Sequence, residues 1–149
     1  MKTEILSLNL ASPLCFFRMA DPEPFDRIDV GRGNPNFELL FCFELEEDQY
    51  RNFEPTRDNF FPNLLYGGIS TGDLKTHSAE AGAEEIVELP AGKYLFAQKR
   101  ELISRDKIIV LALEIQQEGL WQRHELGRKL YLRYLYEDGK IVTQLFRPC

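Results

Sequence analysis

The residue types that most often do chemistry are sparse in this chain and poorly spaced for it. The cysteines are Cys15, Cys42 and Cys149, an odd number with no Cys-x-x-Cys or Cys/His spacing. Neither a disulfide framework nor a zinc site fits that pattern. Cys15 and Cys42 sit inside apolar runs and read as buried thiols, while Cys149 is terminal and reads as exposed. His77 stands in a polar stretch and His124 in a charged run, so both read as surface residues. Gly67-Gly68 and Gly31-x-Gly33 lack the strand-to-helix context that a phosphate loop needs. No nucleophile–base pair is visible, so no catalytic residue, metal ligand or cofactor is expected. What stands out instead is aromatic. The 149 residues include 11 Phe and 6 Tyr, more than a small core needs and enough to line a cavity.

Charge narrows the partners. The formal charge is −6, which repels phosphate backbones and disfavours direct nucleic-acid binding. The best basic cluster, Arg123, His124, Arg128, Lys129 and Arg133, is interrupted by Glu125. A cationic or neutral ligand suits this net charge better. No stretch approaches a membrane-spanning length, and the N-terminus lacks a signal-peptide core. A reducing cytoplasm is the expected setting.

The elements that would carry a site are legible in places. Thr3 to Leu10 alternates like a strand, Pro13 bends or restarts it, and Leu14–Phe17 is a second apolar run. Asp21-Pro22-Glu23-Pro24 can open a short helix. Phe37–Leu45 is the strongest early strand. Phe37, Leu39, Phe41, Phe43 and Leu45 share one face; Glu38, Leu40, Cys42 and Glu44 share the other. Residues 46–53 are acidic, 54–63 irregular, and Leu64–Ser70 forms another strand ending in glycines. Residues 71–83 are small and polar, a linker between a first half, 1–70, and a second half, 84–149.

Within the second half, VELPAGKYLFAQ (87–98) is a strand-like run interrupted by Pro90-Ala91-Gly92. It is either a bulged edge strand or two strands meeting at a turn. Ser104 reads as an N-cap with Asp106 in the first turn, Ile108–Gln117 as helix, and Gly119 as its C-terminal cap. Glu114 falls at the margin of the apolar helix face. It is either a solvated residue or, if buried, a group that needs a partner. Lys129–Tyr136 and Lys140–Arg147 are strands joined by Asp138-Gly139, a strong hairpin signal. That turn sets Tyr136 opposite Ile141, Tyr134 opposite Thr143, Leu132 opposite Leu145 and Tyr131 opposite Phe146. Both hairpin faces are largely apolar, so both need a cover. One is the helix; the other is a ligand, a partner or the first half.

ELPAGKYLFAQ, a helix, and then GRKLYLRYLYEDGKIVTQLFRP together resemble the second half of the GyrI-like small-molecule-binding domains, the effector-binding domains of bacterial multidrug-sensing transcription regulators. The resemblance covers roughly residues 84–148; the first half matches only in element order. It implies an α+β fold of two β-α-β-β units, related by a pseudo-twofold axis. These would form one concave, mainly antiparallel sheet with helices packed beside it and an aromatic cleft between the units. Many members carry a cleft Glu, usually in a Phe-Glu-x-Tyr segment of the penultimate strand. Here that segment reads Tyr131-Leu132-Arg133-Tyr134, with Leu132 in the Glu position. Glu114, Glu38 or Glu44 would then have to supply any acidic charge. The strand-like start at residue 3 leaves no room for the family's DNA-binding segment, so a free-standing domain is expected.

The residues this reading places at the cleft are Tyr66, Tyr94, Glu114, Trp121, Tyr131, Arg133 and Tyr134. They would hold an apolar or aromatic small molecule. The alternatives are a protein-interaction module, since some relatives bind an enzyme such as DNA gyrase, and a small-molecule hydrolase, which lacks its usual Glu here.

Overall fold

The computed structural model describes residues 4–18, 38–45, 64–70, 86–101 and 103–149. The short helix expected from Asp21, segments 46–53 and 54–63, the 71–83 linker and His77 lie outside them. The described chain forms eight strands and, between the sixth and seventh, a helix. The strands are β1 Leu6–Leu10, β2 Leu14–Arg18, β3 Glu38–Glu44, β4 Leu64–Ser70, β5 Ile86–Leu89, β6 Gly92–Lys99, β7 Lys129–Glu137 and β8 Lys140–Pro148. The helix, α1, is Arg105–Trp121. All strand pairings are antiparallel, in the order β1-β6-β8-β7-β3-β4-β2-β5. The result is an α+β fold: one curled sheet, a half-barrel, with α1 beside it.

That order contains an internal symmetry. Exchanging every strand with the one four places later in sequence reverses the order and leaves it otherwise unchanged. Two four-strand units therefore sit head to head, with β3 against β7 at the centre. Both units begin with a broken strand. Pro13 and Pro90 cannot donate to a ladder, and each stands in the gap between two short strands. Gly92 follows at φ +142°, where an L side chain is strained. The 87–98 stretch is thus two strands that meet at a turn. β5 stays with β2 at one end of the sheet, while β6 crosses to pair with β1 and β8 at the other.

Two local features bend the sheet. The β3–β4 register shifts between Cys42 and Phe43, because Leu65 is an extra residue on β4. Gly68 then lets the β2–β5 ribbon fold inward. A Cβ there would lie 2.7 Å from Phe16 Cβ and 2.8 Å from Val87 Cγ2.

Strand alternation sends the two halves of each pattern to opposite faces. Leu39, Phe41, Phe43 and Leu45 join Leu130, Leu132, Tyr134 and Leu145 under α1, which contributes Ile108, Leu111, Ala112 and Ile115. Arg147 is wholly buried on this side. Its Nε donates to the Gly127 carbonyl at 2.6 Å and its Nη1 to Gln116 Oε1 at 2.6 Å, tying β8 to the helix. Leu40 and Cys42 face the other way, into a second cluster with Phe16, Val87, Leu89, Tyr94, Tyr131 and Phe146. The second cover of the hairpin is therefore supplied in part by the first unit and the β5 strand.

The helix differs from its sequence reading at both ends. Ser104 caps it as expected, accepting from the Lys107 amide at 3.3 Å, but α1 starts at Arg105 and runs four residues past Gln117. Gly119 is inside the helix, because a Cβ there would press within 2.7 Å of Leu126 Cδ1. The left-handed stop falls on Arg123, at φ +59°. The amide of Arg123 donates to the Leu120 carbonyl at 3.2 Å and that of His124 to the Gly119 carbonyl at 2.9 Å, closing the end as a Schellman motif. Asp138 and Gly139, at φ +53° and +77°, make the expected hairpin turn. All four cross-strand pairs it implied are present. Among the described residues no helix is long and apolar enough to cross a membrane.

Candidate functional site

The sheet face away from α1 is organised in two rows that run across the strands. The first row is Tyr66, Cys42, Tyr131, Phe146 and Phe96, on β4, β3, β7, β8 and β6. Tyr94 joins it from β6, edge-on to Tyr131 at 6.2 Å and to Phe146 at 5.8 Å between ring centroids. Such T-shaped contacts are favourable because the positive ring edge meets a negative face. Tyr94 and Tyr131 are buried, whereas Tyr66 and Phe96 are half-buried and form the accessible margin.

The polar tips in this row have partners. Tyr94 donates its hydroxyl to the Pro90 carbonyl. Thus the residue that breaks the β5–β6 strand also anchors a site tyrosine. Tyr66 donates to the Glu88 carbonyl at 3.2 Å. Tyr66 and Tyr131 flank Cys42 in the register. Burial pushes the Cys42 thiol up to about 11, an effect only partly offset by the neighbouring Tyr66 hydroxyl. Burial raises Tyr94 to about 12 and also raises Tyr66 and Tyr131, with proximity to Cys42 adding to each. At neutral pH this row is an uncharged surface of rings and hydroxyls, and its thiol is not a nucleophile.

The second row is polar. Arg133 stands two residues from Tyr131 on the same face of β7. Its Nη2 pairs with Glu38 Oε1 at 2.8 Å and its Nη1 donates to Gln144 Oε1 at 3.2 Å. Gln144 Nε2 donates in turn to Gln98 Oε1 at 3.1 Å. The chain Glu38–Arg133–Gln144–Gln98 therefore spans β3, β7, β8 and β6. On the far side of Tyr66, the Arg18 guanidinium lies 5.3 Å from the ring centroid, a cation–π contact.

Of the seven residues singled out from sequence, Tyr66, Tyr94, Tyr131 and Arg133 come together on this face. The other three do not. Tyr134 lies under α1, edge-on to Phe41 at 6.1 Å, because it is one residue out of phase with Tyr131 and Arg133. Leu132, in the position of the family's cleft Glu, shares that helix-side core for the same reason. Trp121 is 84% exposed at the last position of α1. Glu114 lines a separate cavity of about 220 Å³ beside α1, with Lys99, Ile103, Lys107, Val110 and Leu111. Its Oε2 is buried without a hydrogen-bond partner among the described residues.

Sequence reasoning passed over Cys42, Phe96 and Phe146 as site members, along with Gln98, Gln144 and Arg18. Strand parity could have found Cys42 and Phe146, since each is directly opposite Tyr131. No group of three or more His, Cys, Asp or Glu that could hold a metal ion occurs among the described residues.

No family model matches the chain. No curated protein matches it either. Two solved structures resemble it over 99% of its length. One is a hydrolase encoded by lin2189 from Listeria innocua, at 13% identity over 92% of that chain and a TM-score of 0.45. The other is the EcmrR C-terminal domain, at 10% identity over 96% of that chain and a TM-score of 0.46.

Proposed function

We propose that this protein binds an apolar or aromatic small molecule on the concave face of its sheet, in the manner of a GyrI-like effector-binding domain. One observation carries the reading: Tyr66, Tyr94 and Tyr131 converge on the face opposite the helix, with the hydroxyls of Tyr66 and Tyr94 anchored on the Glu88 and Pro90 carbonyls. A fixed, neutral aromatic surface of this kind takes up planar apolar ligands at little entropic cost. The half-buried rings of Tyr66 and Phe96 are the margin through which a ligand meets it. The symmetric pair of four-strand units supports the family resemblance, as do the Pro-Ala-Gly break and the closing hairpin. The protonated state of Cys42 favours binding over hydrolysis, since it removes the nearest candidate nucleophile.

The test is a thermal-shift screen of neutral, anionic and cationic aromatics. A ligand at about 100 times its Kd that binds only the folded state adds roughly 2.7 kcal/mol. The expected result is a shift that disappears in Tyr66→Ala and survives in Tyr134→Phe, whose hydroxyl lies under the helix. Equal shifts in both variants would place binding elsewhere and refute the proposal.

A further inference from the structure

The second row on this face sets the charge that an aromatic ligand would meet. Read across the strands, it runs Arg18, Gly68, Leu40, Arg133, Gln144, Gln98. It lies beside the aromatic row, displaced two residues along each shared strand. The two guanidinium groups stand on either side of Gly68 and Leu40, which are buried beneath Phe16 and Val87. Among the described residues one acid answers the two arginines: Glu38, bound to Arg133 at 2.8 Å. Arg18 is exposed and stacked on Tyr66, with no acidic partner among the described residues. The Arg133 head group is largely shielded, its side chain being 16% exposed. Two of its nitrogens are bonded, while its Nε is buried with no acceptor among the described residues. At the end of the same face Lys129 stands opposite Glu44, whose carboxylate lies 4.0 Å from Arg128. Among the described residues of the two rows, Arg18 is thus the guanidinium with no carboxylate beside it.

We infer that the ligand is an aromatic anion, a carboxylate or sulfonate on a planar ring system, with its ring on the Tyr66 side and its charge toward Arg18 and Arg133. This rests on the cleft reading above and deepens it. A planar guanidinium holds a carboxylate through paired donors, and one already stacked on a tyrosine is positioned beside a second ring. Lipophilic cations are disfavoured: a cation meets two arginines, and Glu38, the acid beside Arg133 among the described residues, is occupied.

Three ligands with one ring system isolate charge: 2-naphthoate, 2-methoxynaphthalene and 2-naphthylmethylammonium, each titrated calorimetrically into the full chain. The wild type should bind the naphthoate at least tenfold tighter than the ammonium compound. Arg18→Gln, a change at an exposed side chain, should weaken the naphthoate about tenfold and leave the methoxy compound unchanged. Glu38→Gln should tighten the naphthoate. Binding of all three alike, a preference for the cation, or an Arg18→Gln variant with an unaltered ratio overturns the inference. If the methoxy compound binds and Tyr66→Ala abolishes it without any charge preference, the cleft stands and the anion inference alone falls. If none of the three binds, both fall.

Discussion

Gly68→Ala is the substitution that tests whether the curl of the sheet is specified at one point. A methyl group at this position would lie 2.7 Å from Phe16 Cβ, 2.8 Å from Val87 Cγ2 and 3.3 Å from the Phe17 carbonyl. The first of these atoms is fixed to the β2 backbone, so no rotamer change relieves it; the β2–β4 ladder itself has to move. Overpacking of this kind costs about 1–3 kcal/mol. Replacing glycine also restricts the unfolded chain, which returns about 0.4–1 kcal/mol. The net expectation is a loss of about 1–2 kcal/mol in urea unfolding, with an unchanged slope on denaturant. Val87→Ala removes the Cγ2 contact, so the double variant should lose about 1 kcal/mol less than the sum of the singles. A neutral or stabilising Gly68→Ala, or strict additivity with Val87→Ala, would refute the account of how β2 and β5 close over the tyrosines.

Three further outcomes are expected. The Cys42 thiol, held at about 11 against an ordinary 9.0, favours the fold only while protonated. Stability from this site is therefore full below pH 9 and is lost as pH rises toward 11, by about 3 kcal/mol at most. Urea midpoints of Cys42→Ala should show a shallower fall across that window, and Cys42 should resist thiol reagents in the folded protein. Arg123→Gly relieves a left-handed residue at the end of α1 and should stabilise by about 0.5–1 kcal/mol in thermal or urea unfolding. Gln116→Leu withdraws the acceptor from buried Arg147 Nη1 and should cost about 2–3 kcal/mol by the same measurement.

Legibility in the sequence followed the physics of alternation. In Phe37–Leu45 and in the closing hairpin, a period of two and an Asp-Gly turn left one register that buries both faces, and the sheet adopts it. The two proline breaks were equally visible, but not their consequence. Nothing local says that β5 and β6 part to opposite ends of the order, since that depends on pairings with the distant β1 and β2 near the start of the chain. The helix end was misplaced because Gly119 serves a close approach to Leu126, a tertiary demand that resembles a cap in sequence. Tyr134 and Trp121 were grouped with Tyr131 by residue type, whereas parity separates the first and exposure the second. Glu38 was legible as a candidate acid and the hairpin puts Gln144 on the Arg133 face, but only the full register shows that Glu38 and Gln98 join them.

The hydrogen-bonded chain Glu38–Arg133–Gln144–Gln98 has an apolar counterpart: on the helix side of the same central strands, the row Phe41, Leu132 and Leu145 is hydrocarbon alone. A shielded ion pair loses much of its Coulomb gain to desolvation, so replacing both partners by apolar groups is often neutral or stabilising, whereas removing one is costly. The double replacement Glu38→Leu with Arg133→Met should therefore match or exceed the wild type in urea unfolding. Arg133→Met alone, which leaves Glu38 shielded and unpaired, should lose about 1–3 kcal/mol, its carboxylate being partly exposed. If the row exists for recognition, the stable double variant still binds 2-methoxynaphthalene but loses the preference for 2-naphthoate that Arg133 supplies. A double variant that unfolds would make the chain a structural tie across β3 and β7, and one that folds and keeps the full preference would leave Arg18 alone to account for it.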